Sequence, residues 1–459
     1  MLTQEQAGEI FRRIREYSTA DEVEVIFYGG KSALTRFANN VIHQNVAEEN
    51  YGVSVRTVFD GKTARATTNR LDDESLQRVV RSSESLAKVQ HPDPDLLPVA
   101  AADACAPQES RSRYFDATAS ITPEERADAV GKIVHRAKQH KLITAGIFST
   151  SESIEGIFNS SGLSRWHQQT SAEISITMLG TDSSGWQKAN SPDVTKLDAT
   201  KLGEIAAIKA EKSAKPQEVP PGKYMVILEP AAVLDIAGFM FWDFSGLAVL
   251  DQRSFLNDRV GKKLFGDNIN IWDDANHPLQ SGSPFDGEGV RRQRVQLVKN
   301  GVVERLVYAR ATAEKMQKSE HAGKVGLIEA TGHGFALPNE MGEAPMNIVF
   351  EPAEPTQTIE QMVASTERGI YVTRLWYIRE VDPYEKILTG MTRDGTFLIE
   401  DGRIRHGLRN FRFNESLLKM LSNVEAMSEP VRASGEESFD MVAPAMKVRD
   451  FNFTEVTKF

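Results

Sequence analysis

The segment YMVILEPAAVLDIAGFM spans residues 224–240. Its first five residues are an apolar run of strand length. Pro230 then suits the first position of a helix, where a missing N–H costs nothing. The residues after Pro230 are apolar on every side, and a helix of that kind belongs in a protein interior. The run 230–250 is long enough to span a bilayer, but Asp235 and Asp243 lie inside it. Each carboxylate would cost about 2.5–3.5 kcal/mol near a bilayer centre. A buried helix is therefore expected, with no membrane partner. An apolar strand feeding an apolar helix is also how a zinc-protease helix begins, yet no histidine falls in this stretch.

Upstream of the strand, KPQEVPPG (215–222) is the clearest boundary in the chain. Before it, Thr3 and Gln6 resemble a capping box that opens a helix to about residue 17. Strands are expected over 22–28, 32–40 and 52–59, and Asp60-Gly61 turns the chain into a fourth over 62–68. A helix capped by Asp72 or Asp73 ends this first α+β module, residues 1–90. Residues 91–116, rich in Pro, Ala and Ser, read as a linker. Thr122 opens the next helix. Strands near 142–150 and 154–159, a strand-rich piece to 179, a polar loop over 180–192 and a helix over 198–214 complete a middle module, 117–215. Residues 222–459 are mostly strands and glycine turns, with further helices near 309–318 and 358–368. Asn300-Gly301 and Asp401-Gly402 are hairpin turns. The fold class is α+β: two N-terminal α/β modules, then a β-rich C-terminal domain.

The net charge of -10 over 459 residues argues against a nucleic-acid surface, which needs clustered Lys and Arg. The single cysteine, Cys105, makes neither a disulfide framework nor a Cys-rich zinc site and reads as a linker residue. No signal peptide is legible at the N-terminus, so the expected location is the cytoplasm.

Candidate chemistry is sparse. A catalytic zinc needs three protein ligands and an open position. No two histidines take the His-Glu-x-x-His spacing; His135 and His140 are five apart and diverge on a helix. Ser85-x-x-Lys88 and Ser416-x-x-Lys419 match a nucleophile pattern but sit on helix faces without a base. Gly61-Lys62-Thr63 lacks the earlier glycine of a phosphate loop, since position 56 is Arg56. In Phe285-Asp286-Gly287-Glu288-Gly289 the two carboxylates suit either a hard cation or backbone N–H groups; the flanking glycines favour the structural use. Thr331-Gly332-His333-Gly334 holds a loop histidine, which ordinarily bonds to backbone.

These motifs come in a fixed order: PFDGEGV (284–290), the Asn-Gly turn, TGHG (331–334), GIYV (369–372), Thr389-Gly390, FLIEDGR (397–403) and RFNES (412–416). In that order they resemble the TldD/PmbA (TldE) family. In the TldD branch the helix after the first strand carries His-Glu-x-x-x-His, and a cysteine near the C-terminus is the third ligand. Here Glu229, Ala232 and Asp235 lie in that region, and the C-terminal segment SFDMVAPAM (438–446) has no cysteine. The resemblance is thus to the TldE/PmbA side. It implies a non-catalytic subunit, with no catalytic residue and no cofactor of its own. It implies a TldD-type partner that supplies zinc and a complex that cleaves unfolded peptides held as an added strand. It implies for Thr331, Gly332, His333 and Gly334 a contact with a peptide or a partner chain. The alternative is a stand-alone homodimer that binds peptides or acts as an adaptor.

Overall fold

The computed structural model describes residues 1–102 and 111–457. Cys105 and the middle of the expected linker lie outside the described residues. The linker's flanks are packed: Val99 and Ala100 are buried, and Arg113 donates to the carbonyls of Ala275, His277 and Pro278.

The first 212 residues build one layered unit. Helix α1 (Gln4–Tyr17) begins with the expected reciprocal Thr3/Gln6 capping box. It is followed by β1 (Glu22–Ala38), β2 (Val41–Phe59), β3 (Lys62–Thr68), α2 (Asp73–Val89), α3 (Asp116–Ala119) and α4 (Pro123–Gln139). Then come β4 (Ile143–Asn159), β5 (Ser164–Leu179), β6 (Ser184–Ser191) and α5 (Ala199–Lys212). The strands form a single sheet in the order β3-β2-β1-β4-β5-β6. The modules expected over 1–90 and 117–215 therefore share a sheet, because β1 pairs with β4 from Glu24↔Asn159 to Phe37↔Gly146.

The fold corrects several expectations, among them the pieces 142–150 and 154–159, which are one strand, β4. The pieces 22–28 and 32–40 are one strand, β1. Gly29 and Gly30 bend it without ending it, at φ 121° and 154°. Asn39-Asn40, both at positive φ, make the next turn, so this module has three strands instead of four. The polar loop expected over 180–192 contains β6. Its one large apolar residue, Trp186, is buried, and Lys188 and Asn190 bond the C-terminal unit.

After β7 (Gly222–Leu228), the expected long helix is three pieces: α6 (Pro230–Ala237), a 3-10 stretch (Gly238–Phe244) and α7 (Gly246–Leu250). The tighter winding stacks positions i and i+3, which sends both Phe241 and Phe244 into the core beside Phe255 and Phe350. A second sheet contains β8 (Ile271–Asp273), β9 (Val295–Lys299), β10 (Val302–Val303), β11 (Ile348–Phe350), β17 (Val431–Ala433) and β18 (Met441–Ala443), in the order β10-β9-β8-β11-β18-β17. The remaining strands are β12 (Arg368–Asp382), β13 (Ile387–Glu400), β14 (Arg403–Gly407), β15 (Phe411–Ser416), β16 (Val424–Met427) and β19 (Met446–Val456). In the third sheet β12, β7, β19, β15 and β13 pair in turn, and β13 pairs back to β12. The sheet thus closes into a barrel, which leaves no open edge among those strands. Helices α8 (Arg310–Lys318), α9 (Ile359–Ala364) and α10 (Leu417–Ser422) lie between the strands in sequence. The helix expected over 358–368 stops early because Arg368 begins β12.

Helix α6 packs against β12 and β7 of the barrel and β17 and β18 of the second sheet. Residues 232–237 are all fully buried. One core runs through barrel, helix and second sheet.

The bend at Gly29 gives a stability test. A Cβ there would lie 2.2 Å from the Asn50 carbonyl oxygen, on a backbone conformation that L side chains avoid. Gly29→Ala should destabilise the chain by about 1–3 kcal/mol in urea unfolding; an unchanged midpoint would mean the bend relaxes freely.

Candidate functional site

The site is built where β7 meets α6. Glu229 ends the strand, and its N–H donates to the carbonyl of Val372 on β12. Its carboxylate is fully engaged. Oε2 lies 2.8 Å from Nζ of Lys209, which arrives from α5 of the N-terminal unit. Oε1 accepts from the Tyr371 hydroxyl. Lys209 is itself buried and donates further to Gln187 Oε1 at 3.0 Å and to the Trp186 carbonyl. Burial, reinforced by the neighbouring Glu229 charge, pushes the Tyr371 hydroxyl well above its usual pKa, so the phenol stays a donor.

Ala232 presents only a buried methyl group. Asp235, fully buried, turns one carboxylate oxygen to the loop joining β17 and β18. Oδ1 accepts from the backbone N–H groups of Glu436 and Glu437, each at 3.0 Å. Oδ2 is buried without a hydrogen-bond partner. Burial raises the carboxyl to about 7, against the pull of those two N–H groups and of Arg374. Arg374 in turn is held by Asp394, with Nε 2.8 Å from Oδ2, and its guanidinium lies over the Trp186 ring. The 434–440 loop also reaches the first sheet, where Lys188 donates to the Gly435 carbonyl at 3.0 Å.

This set does not fit a zinc centre. Of the three positions, one carboxylate already holds an ammonium group, one has no donor atom, and the third offers a single free oxygen. A zinc site needs three protein ligands. Among the described residues no group of three or more His, Cys, Asp or Glu side chains is placed to hold a metal ion.

The other two candidate motifs meet each other. Asp286 Oδ1 accepts from the N–H groups of Glu288 and Val290, and Oδ2 accepts from Gly334 at 2.8 Å. The Gly287 N–H returns to the Gly334 carbonyl. Phe285 packs with Ala100, Ile157 and Leu163 of the N-terminal unit. Gly289, at φ 79°, lets the chain pass Leu163. Glu288 faces Arg310, whose backbone N–H is 3.3 Å from Oε1, and burial with the Asp286 charge beside it raises its carboxyl to about 7. Both carboxylates thus accept backbone N–H groups of this chain. Thr331, Gly332, His333 and Gly334 are all buried within this chain. Thr331 bonds the Tyr308 backbone, and Gly332 sits where a Cβ would strike the Arg291 carbonyl. His333 Nε2 is 3.0 Å from Asp273 Oδ1. Burial works against the Asp273 charge, but His333 and Arg292 hold its carboxyl below the usual range. In the single chain these four residues face inward, and none offers its side chain to a peptide.

Residues 221–455 match the family described as PmbA/TldA metallopeptidase C-terminal domain, and residues 23–87 match its domain 1. The chain belongs to the TldD/PmbA family. Metalloprotease PmbA of Escherichia coli O157:H7 is 22% identical over 454 residues, covering 94% of this chain and 92% of that protein. The Metalloprotease PmbA homolog of Haemophilus influenzae is 22% identical over 402 residues, covering 84% and 83%. The fold matches the crystal structure of TldE from Thermococcus kodakarensis with a TM-score of 0.84 at 18% identity, over 98% of this chain and 100% of that one. Sequence reading found the family motifs and the region of Glu229, Ala232 and Asp235. It missed Lys209 and Arg374, which carry no local signal, and although GIYV contains Tyr371, nothing in that motif shows that its hydroxyl meets Glu229.

Two measurements test this site. Lys209→Ala leaves Glu229 buried beside a phenol alone and should cost about 3–5 kcal/mol; the double variant Lys209→Ala/Glu229→Ala should recover part of that loss. Asp235 has a folded pKa above its unfolded value, so it favours folding at low pH and loses that contribution as pH rises from about 4 to about 7. Asp235→Asn should therefore stabilise by about 1–3 kcal/mol at pH 8 and by little at pH 4; equal effects at both pH values would refute the assignment.

Proposed function

We propose that this chain is the non-catalytic, TldE/PmbA-like subunit of a TldD-type metallopeptidase. The observation that supports this most is Glu229. At the head of the helix where a zinc-binding chain would carry its histidines, the carboxylate is occupied by a lysine from another part of the same chain. The helix is kept as a scaffold, and its polar groups join the N-terminal sheet, the barrel and the 434–440 loop. In this reading the TldD-type partner brings zinc and the nucleophilic water. This chain forms part of the wall that admits unfolded peptides and excludes folded proteins.

A second reading, a self-paired peptide-binding protein with no protease partner, draws on the part of β2 that β3 leaves uncovered. Among the described residues no helix is long and apolar enough to cross a membrane, so neither reading places a membrane-spanning helix there.

Purified alone, the chain should contain well under one zinc per molecule and leave an unfolded peptide uncut. Co-expressed with a family member bearing His-Glu-x-x-x-His, it should co-purify and cleavage should appear. Stoichiometric zinc with robust cleavage by this chain alone would sink the proposal, and failure to co-purify with such a member would favour the self-paired reading.

A further inference from the structure

Away from the junction of β7 and α6, a cleft opens on the N-terminal sheet beside α3 and α4. Its floor is β1 and β4, where Ala33 pairs with Thr150 and Lys31 with Glu152. It holds about 290 Å³, and α3 and the start of α4 wall it with Ala119, Ile121 and Arg126.

Arg126 is the unusual member. It is only 2% exposed, yet among the described residues it forms no ion pair. A guanidinium has five N–H donors. Here Nε reaches Thr35 Oγ1 and Nη1 the Ile121 carbonyl, each at 3.3 Å and each a neutral acceptor. Burial pulls its pKa down, and the charge of Glu124 on the same helix pulls up less.

Other buried arginines are provided for. Arg56 and Arg65 share Glu24, and Arg374 has Asp394. Arg113, also without an acid, spends its donors on three carbonyls, the nearest at 2.8 Å. Burying a charge is costly unless it is paired and hydrogen-bonded. The chain has 64 acidic residues against 54 basic, so an arginine left over in this way wants an anion from outside.

The surroundings say which anion. Thr150, 6% exposed, brings a hydroxyl to the floor, and Ala33, Ala119 and Ile121 make the nearby surface apolar. The far end of the cleft is acidic, with Glu48, Glu49 and Glu152. Lys31 does not offset them for a ligand, because it already lies 3.4 Å from Glu152, which also accepts from the Tyr114 hydroxyl at 3.0 Å. Those carboxylates repel a dianion more than a single negative charge.

We propose that this cleft binds a small monocarboxylate, an organic acid whose carboxylate pairs with Arg126 and whose short alkyl body lies against Ala33, Ala119 and Ile121. The planar fork of a guanidinium matches a carboxylate. The cleft is at the small end for ligand sites, too small for a peptide of several residues.

Titration of the full chain with butyrate, followed by calorimetry, should saturate with a dissociation constant on the order of a millimolar. Butyramide, which has the shape without the charge, should bind roughly tenfold more weakly, and inorganic phosphate should also bind more weakly. Arg126→Gln should weaken butyrate binding by about tenfold or more, and Arg126→Lys, which keeps the charge but not the fork, by less. Butyrate should raise the thermal midpoint of the wild-type chain and leave that of Arg126→Gln unmoved. Ala119→Leu fills the cleft without touching the buried charge, so it carries the test if Arg126→Gln does not fold; it too should abolish saturation. No saturation by butyrate at tens of millimolar would overturn the proposal. So would butyramide or phosphate binding as tightly as butyrate, or either variant folding and binding butyrate like the wild type. Only this chain is needed, so the result does not depend on whether co-expression yields cleavage.

Discussion

The Glu229 carboxylate is the constraint on which the site depends. A carboxylate at the end of a central barrel strand, next to an apolar helix, cannot stay charged without partners. Its partners come from other elements: Lys209 from α5, the helix before β7, and Tyr371 from β12, more distant in sequence. Satisfying one buried charge therefore fixes the N-terminal unit against the barrel and sets where α6 begins. Asp235 repeats the device one helix length on, holding the 434–440 loop, which in turn grips β6. Two acids on one strand–helix unit thus join three parts of the molecule.

The same logic explains the second polar cluster. PFDGEGV and TGHG are far apart in sequence, yet each supplies what the other lacks. Asp286 accepts from Gly334, and the glycines let the two backbones approach closely enough for that bond. Removing the donor–acceptor match would leave a buried carboxylate with fewer N–H groups than it needs. In this chain the two motifs hold part of the C-terminal domain together, and Phe285 extends that hold to the N-terminal sheet.

Much of this is legible in the sequence alone. Local signals are sound: the capping boxes at Thr3 and Thr122, the turns at Asp60-Gly61, Asn300-Gly301 and Asp401-Gly402, and the burial of the stretch after Pro230. The failures are non-local. Gly29-Gly30 looks like a strand end, but pairing on both sides carries β1 through the bend. The polar run of β6 looks like a loop because the partners of Lys188 and Asn190 belong to the C-terminal unit. The long apolar helix breaks at Gly238 because Phe241 and Phe244 have to face the same aromatic cluster. Lys209 gives no sign at all: on its own helix it is one lysine among several, and only the fold brings it to Glu229.

Edges and charges in this molecule follow a division of labour. The barrel closes on itself and leaves no open edge among its five paired strands, with the Glu229 carboxylate paired and the Asp235 carboxylate buried where β7 meets α6. The N-terminal sheet has done the reverse, anchoring β6 inward and leaving half of β2 bare. A fold that uses two buried carboxylates to hold its units rigidly together can present that bare edge in a fixed direction. Rigid presentation is what edge pairing needs, since register, and with it the face on which every side chain falls, shifts with a one-residue slip. The contacts of Glu229 and Asp235 therefore fix where that bare edge sits relative to the barrel, as well as occupying the junction of β7 and α6.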